Sequence, residues 1–141
     1  MAYQNPSNAQ LKQILETANR IAVVGLSDNP ERVSHMVAKA MQDRGYRIIP
    51  VNPNATEILG ETCYPSLADI PEPVDIVNVF RRSDRVVPIA KEAVTIGAKV
   101  FWLQQGIVNE EAADIAREGG LVVIMDLCIK VVDSVLNVRK E

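Results

Sequence analysis

The sequence predicts a single doubly wound α/β domain of Rossmann-like type, a mainly parallel sheet with helices on both faces. Three observations predict it. Short runs rich in Val, Ile and Ala alternate with amphipathic stretches of about ten residues. Each run is apolar nearly throughout, as a strand covered on both faces must be. Glycines stand where the helical stretches end, at Gly45, Gly97 and Gly119-Gly120.

In chain order, Leu11, Ile14, Leu15 and Ala18 recur at helical spacing, with Ser7 or Asn8 placed to cap the helix. Ile21-Ala22-Val23-Val24 reads as a buried parallel strand. Val33, Met36, Val37, Ala40 and Met41 mark a second helix, and Tyr46 to Val51 a second strand. The stretch from Asn54 to Pro73 is less regular, with Cys63-Tyr64 as a short strand and Ser66 to Ile70 as a helical turn. Val74 to Phe80 is the next strand, followed by a helical face of Val86, Ile89, Ala90, Ala93 and Val94. Lys99 to Leu103 and Leu121 to Met125 are strands on either side of a helix over Glu110 to Glu118. Leu127 to Val138 closes the chain as a helix. The expected division of 1–141 is an N-terminal helix in 1–19, a core in 20–126 and a closing helix in 127–141, without repeat or linker.

Composition narrows the function classes. The chain is 141 residues long and 48% hydrophobic, enough for a core without disulfides or metals. A net charge of −3 lacks the basic excess that nucleic acid requires. Two cysteines without a CxxC pattern and the single His35 offer no metal-ligand spacing. Met1 to Pro6 carry neither the basic nor the apolar segment of a secretory leader. No apolar run approaches the ~20 residues of a membrane span. The expected compartment is the cytoplasm, with a small-molecule ligand and no nucleic acid or membrane. A protein partner or a second copy is left open.

In an open parallel sheet, ligands sit beyond the carboxyl ends of the strands, where strand order reverses. Four such ends carry candidate residues. The first is Gly25, Leu26, Ser27 and Asp28, with Arg32 and Ser34 at the start of the next helix. A glycine allows a sharp turn and close approach of a ligand, and a helix N-terminus favours phosphate. Equally, Gly25 serves the turn alone and Arg32 is solvated. The second end, Pro50-Val51-Asn52-Pro53, is a stiff extended lip suited to lie against an adenine, or a plain strand stop. At the third, Phe80, Arg81 and Arg82 offer two guanidinium groups for a phosphate; the alternative is a surface pair of Arg82 with Asp84 or Glu92. The fourth is Leu103, Gln104, Gln105 and Gly106, preceded by Trp102, which suits either the core or a ligand platform. Cys128 reads as a small buried hydrophobe rather than a reactive thiol, and His35 as a structural or surface residue. No nucleophile–base pair or paired-carboxylate motif is present, so no catalytic residue and no metal ligand is assigned. The first loop lacks G-x-G-x-x-G, and the second strand lacks the terminal acid that holds a dinucleotide ribose.

These stretches resemble the small bacterial and archaeal CoA-binding-domain proteins. The residues are Gly25-Leu26-Ser27 with Arg32 and Ser34, the run Gly45 to Pro53, Gly60, Asp75 to Phe80, and Trp102-Leu103-Gln104-Gln105-Gly106. The likeness runs from about Ile21 to about Val132. A similar fold forms the N-terminal domain of the succinyl-CoA synthetase α subunit. The resemblance implies that coenzyme A, or an acyl-CoA, lies over the sheet edge at all four strand ends. It departs from the synthetase near Ala55, where a lysine is missing, and Arg32 is expected to substitute. The synthetase's phosphorylated histidine comes from a second domain absent from this sequence. The implied function is a CoA-binding protein without catalysis of its own: a carrier, a sensor or an accessory subunit. The alternatives are an NAD(P)-dependent oxidoreductase and a subunit of an acyl-CoA ligase.

Overall fold

The first helix starts where a side chain can satisfy its open amides. Ser7 Oγ accepts from the Gln10 N–H, and Gln10 Oε1 accepts from the Ser7 N–H, a reciprocal capping box. Helix α1 then runs Asn8–Thr17 in a computed structural model describing residues 4–140. The extreme ends of the expected N-terminal and closing segments, 1–3 and 141, lie outside the described residues.

The remaining elements are β1 (Arg20–Val24), α2 (Val33–Asp43), β2 (Arg47–Val51), β3 (Glu57–Ile58), β4 (Glu61–Thr62), β5 (Ile76–Val79), α3 (Val87–Thr95), β6 (Val100–Leu103), α4 (Glu110–Glu118), β7 (Val122–Ile124) and α5 (Ile129–Val135). Five strands pair in parallel in the order β2-β1-β5-β6-β7. The doubly wound fold expected from the sequence is thus the observed one. Strands β3 and β4 form a separate antiparallel hairpin.

Alternation along each strand splits the core into two layers. Ala22, Val24, Val77, Val79, Phe101 and Leu103 face one way, toward α3 and α4. Ile21, Val23, Ile48, Ile76 and Trp102 face α1, α2 and α5. Trp102 is fully buried, and its Nε1–H donates to the Leu127 carbonyl 2.9 Å away. It is a core residue that ties β6 to the entry of α5. Truncating such a side chain to Ala costs about 3–5 kcal/mol. On the same layer the Tyr46 hydroxyl donates to buried Asp133, whose other carboxylate oxygen meets Arg44 at 3.2 Å. Burial and the Asp133 carboxylate both push the Tyr46 hydroxyl well above its ordinary pKa, so it stays a donor.

Several expected elements are shorter than read: Ile76–Val79 rather than 74–80, Val122–Ile124 rather than 121–125, and Ile129–Val135 rather than 127–138. The Asn54 to Pro73 stretch carries more order than its composition suggested. Leu59 and Gly60 both take positive φ, 57° and 75°, and turn the β3–β4 hairpin. Cys63-Tyr64 does run beside β2, but as a single parallel bridge from Tyr64 to Val51. The helical turn read at Ser66 to Ile70 is a short 3₁₀ turn over Leu67–Asp69.

Candidate ligand groove at the carboxyl edge

Strand order fixes where a ligand can enter. From β1 the chain crosses through α2 to β2 on one side, then returns to β5 on the other. The crevice beyond β1 and β5 is therefore the switch point of the sheet. Gly25 stands in it. Its N–H donates to the Val51 carbonyl at 2.9 Å, and the Phe80 N–H donates to the Val24 carbonyl at 2.8 Å. The glycine holds φ at +86°, and a Cβ there would lie 2.5 Å from the Phe80 carbonyl oxygen. The fold itself demands glycine at this position, before any ligand is considered.

The following loop is locked by its own polar groups. Ser34 Oγ accepts from the Ser27 N–H, Ser27 Oγ from the Asn29 N–H, and Asn29 Oδ1 from the Glu31 N–H, each at 3.0 Å. Asn52 reaches across from the β2 lip: its Nδ2 donates to the Leu26 carbonyl and its Oδ1 accepts from the Asn54 N–H. These bonds fix the rim. By contrast, α2 opens without a side-chain cap, whereas Ser7 caps α1 and Asn109 caps α4. Val33 and Ser34, the first two residues of α2, line the crevice, which places it at the positive end of that helix dipole.

Two adjoining basins occupy the carboxyl edge. One of about 630 Å³ lies over the switch point, bounded by Gly25, Ser27, Arg32, Ser34, Asn52 and the single acid Glu31. The other, about 420 Å³, lies beyond β6 beside Gln104, Gln105, Ile107, Arg82 and Cys128. Val33, Phe80 and Arg81 line both, so the basins form one groove. Arg32 and Arg81 make no ion pair or side-chain hydrogen bond among the described residues. Arg82 meets Asp84 at 3.4 Å on the surface, the pairing raised as the alternative.

The sequence-derived residues therefore separate. Gly25, Ser27, Arg32, Ser34, Asn52, Phe80, Arg81, Arg82, Gln104 and Gln105 converge on the groove. Leu26, Val51 and Leu103 bury their side chains in the core and can offer a ligand only backbone. Pro50 is buried within β2, and Asp28, Pro53 and Gly106 lie outside both basins. The Gly106 N–H instead donates to Asp126 Oδ1 at 2.7 Å. Val33 and Ile107 line the groove and were not singled out; Val33 is 66% exposed at the first turn of α2, an apolar residue out of place on a solvated helix face. Cys63 lies outside the groove, and burial pushes its thiol pKa up. Among the described residues, no helix is long and apolar enough to cross a membrane, and no group of three or more His, Cys, Asp or Glu side chains is arranged to hold a metal ion.

Comparison with known proteins agrees with this fold. The chain is 59% identical over 132 residues to the uncharacterized protein YneT of Bacillus subtilis, covering 94% of this chain and 98% of that protein. It superposes with a TM-score of 0.91 on the solved structure of a hypothetical protein from Pyrococcus horikoshii OT3, at 34% identity and covering 97% and 99% of the two chains. It is also 26% identical over 125 residues to the ADP-forming acetate–CoA ligase I of Archaeoglobus fulgidus. That match takes in 81% of this chain but only 18% of the ligase. The family model for the CoA binding domain matches residues 19–134, from the start of β1 through most of α5, and the chain belongs to that family.

Proposed function

We propose that this protein binds coenzyme A, free or acylated, in the groove at the carboxyl edge, and has no catalysis of its own. Its role is that of a carrier, a sensor or an accessory subunit in the cytoplasm. The observation that carries the reading is the pair of unengaged guanidinium groups, Arg32 and Arg81, on a basin that also receives the uncapped start of α2. That combination suits a phosphorylated ligand on an otherwise acidic protein. A dinucleotide is disfavoured. The β2 end presents Asn52, whose amide is already committed to Leu26 and Asn54, in place of an acid for a ribose. Homology to a ligase supports a second reading, an accessory subunit that needs a separately supplied ATP-dependent partner.

Thermal unfolding with added ligand tests the proposal. Coenzyme A at about 100 times its Kd adds roughly 2.7 kcal/mol, a rise of about 8 °C for a chain of this size. NAD and NADP leave the midpoint within about 1 °C. Equal shifts with NAD, or none with coenzyme A, would sink the assignment. The purified chain alone should neither form acyl-CoA from acid, ATP and CoA nor oxidise NADH. Turnover lost on mutating the groove would overturn the non-catalytic reading.

A further inference from the structure

The basin beyond β6 differs in chemistry from the one over the switch point. Val33, Phe80, Ile107 and the half-buried Cys128 give it mostly carbon and sulfur walls. Within it, Gln104 is only 5% exposed. Its Oε1 accepts from Asn78 Nδ2 and from the Ile129 N–H, both at 3.3 Å. The Ile129 N–H can only donate, so the oxygen of the amide must face inward and the NH₂ must face away. Nε2 has no partner among the described residues, and Gln104 lines the basin. Among the described residues no buried side-chain nitrogen or oxygen lacks a partner, so Nε2 is reached by solvent through the basin and stands open to an acceptor from a ligand.

We propose that this basin is an acyl subsite. It receives the acyl end of a short-chain thioester of coenzyme A, and Gln104 Nε2 donates to the thioester carbonyl. This rests on the groove binding coenzyme A as proposed above. The phosphates lie on the Arg32 side, and the arm crosses Val33, Phe80 and Arg81, which line both basins. The acyl carbons then cover Ile107 and Cys128 while the carbonyl accepts from Gln104 Nε2. Free coenzyme A leaves that donor without an acyl carbonyl.

Calorimetric titration of the intact protein with coenzyme A, acetyl-CoA and S-ethyl-CoA tests the assignment. The thioether analogue keeps the two added carbons and lacks the carbonyl. Acetyl-CoA is expected to bind roughly tenfold more tightly than S-ethyl-CoA, the worth of one buried hydrogen bond. Gln104→Glu keeps an acceptor for Asn78 and Ile129 but removes the donor, and should bring the acetyl-to-ethyl ratio to one or below. Saturating acetyl-CoA should also slow alkylation of Cys128 by iodoacetamide. If coenzyme A binds and all three ligands bind alike, or Cys128 stays equally reactive, the acyl subsite is wrong while the groove assignment stands. If none of the three binds, the groove assignment itself has failed and the subsite with it.

Discussion

Substituting Gly25 with Ala tests whether the switch point is built around that glycine. Two costs are separable. An L-residue held at φ +86° pays about 1–2 kcal/mol. The added Cβ would also stand 2.5 Å from the Phe80 carbonyl oxygen, a backbone atom that cannot rotate away. Relief requires β1 and β5 to part beyond Val24, which loosens the Phe80 N–H bond to Val24 and the Gly25 N–H bond to Val51. At a net worth of about 1 kcal/mol each, these bring the total to about 3–4 kcal/mol. Gly106 supplies the control, because it shares φ +86° but has no neighbouring atom within 4 Å of where a Cβ would stand. Gly106→Ala should therefore cost only the conformational part. Urea unfolding by circular dichroism reads the difference. With a slope of about 2 kcal/mol/M, Gly25→Ala should fall about 1 M below Gly106→Ala in midpoint. Coincident midpoints would refute the steric argument.

Two further outcomes follow from the charges. Arg32→Ala and Arg81→Ala should each weaken coenzyme A binding roughly 10- to 100-fold, as loss of one charge-assisted hydrogen bond does, while Arg82→Ala, already paired with Asp84, changes it little; calorimetry on folded variants decides, and parent-like binding by all three would hand the phosphates to backbone amides alone. Stability should also fall in acid through Glu72 and Asp75. Hydrogen bonding to Arg47 holds the Glu72 carboxyl below the usual range, and the Arg20 and Asn19 N–H groups do so for Asp75 against the opposing effect of its burial. A depressed native pKa gives stability that is complete above the unfolded value, about pH 4, and lost as pH drops through the native one. Urea midpoints measured from pH 6 to pH 3 should fall less steeply in Glu72→Gln/Asp75→Asn than in the parent; equal slopes would exclude these two carboxylates as the source.

The fold was legible because most of it is written in local pattern. Buried parallel strands leave apolar runs, Ser7 announces α1, and Gly45 and Gly97 take the positive φ that ends a helix. The β3–β4 hairpin was not legible, because its turn begins with Leu59 in the left-handed region, where sequence reasoning looks for Asn, Asp or Gly. Strand order was hidden for another reason: which strand β5 joins depends on contacts between residues far apart in the chain. The candidate site was legible as four strand ends, but not as side-chain directions. Leu26 and Leu103 turn into the core, while Val33 and Ile107 turn into the groove. Nothing in a one-dimensional pattern distinguishes a strand-end residue that closes the core from one that lines a cleft.

This separation changes which residues bear on function. Gly25, Ser27, Ser34 and Asn52 look like ligand contacts in the sequence, yet each has work to do in an empty groove: a forbidden Cβ, a turn, a loop anchor and a cross-strand tie. Their presence would be required even if the crevice bound nothing, so they discriminate poorly between a binding protein and a scaffold. Arg32, Arg81 and the Gln104 amide nitrogen are different. They stand at the groove with polar groups that no described neighbour satisfies: the two arginines make no side-chain bond within the fold, and Gln104 serves it through its oxygen alone. A scaffold under no demand to bind could replace the two arginines at little cost, since solvated surface charges contribute within about 1 kcal/mol. Arg32 and Arg81 are therefore the positions where a substitution separates binding from folding, whereas substitutions at Gly25, Asn52 or the buried Gln104 would disturb both.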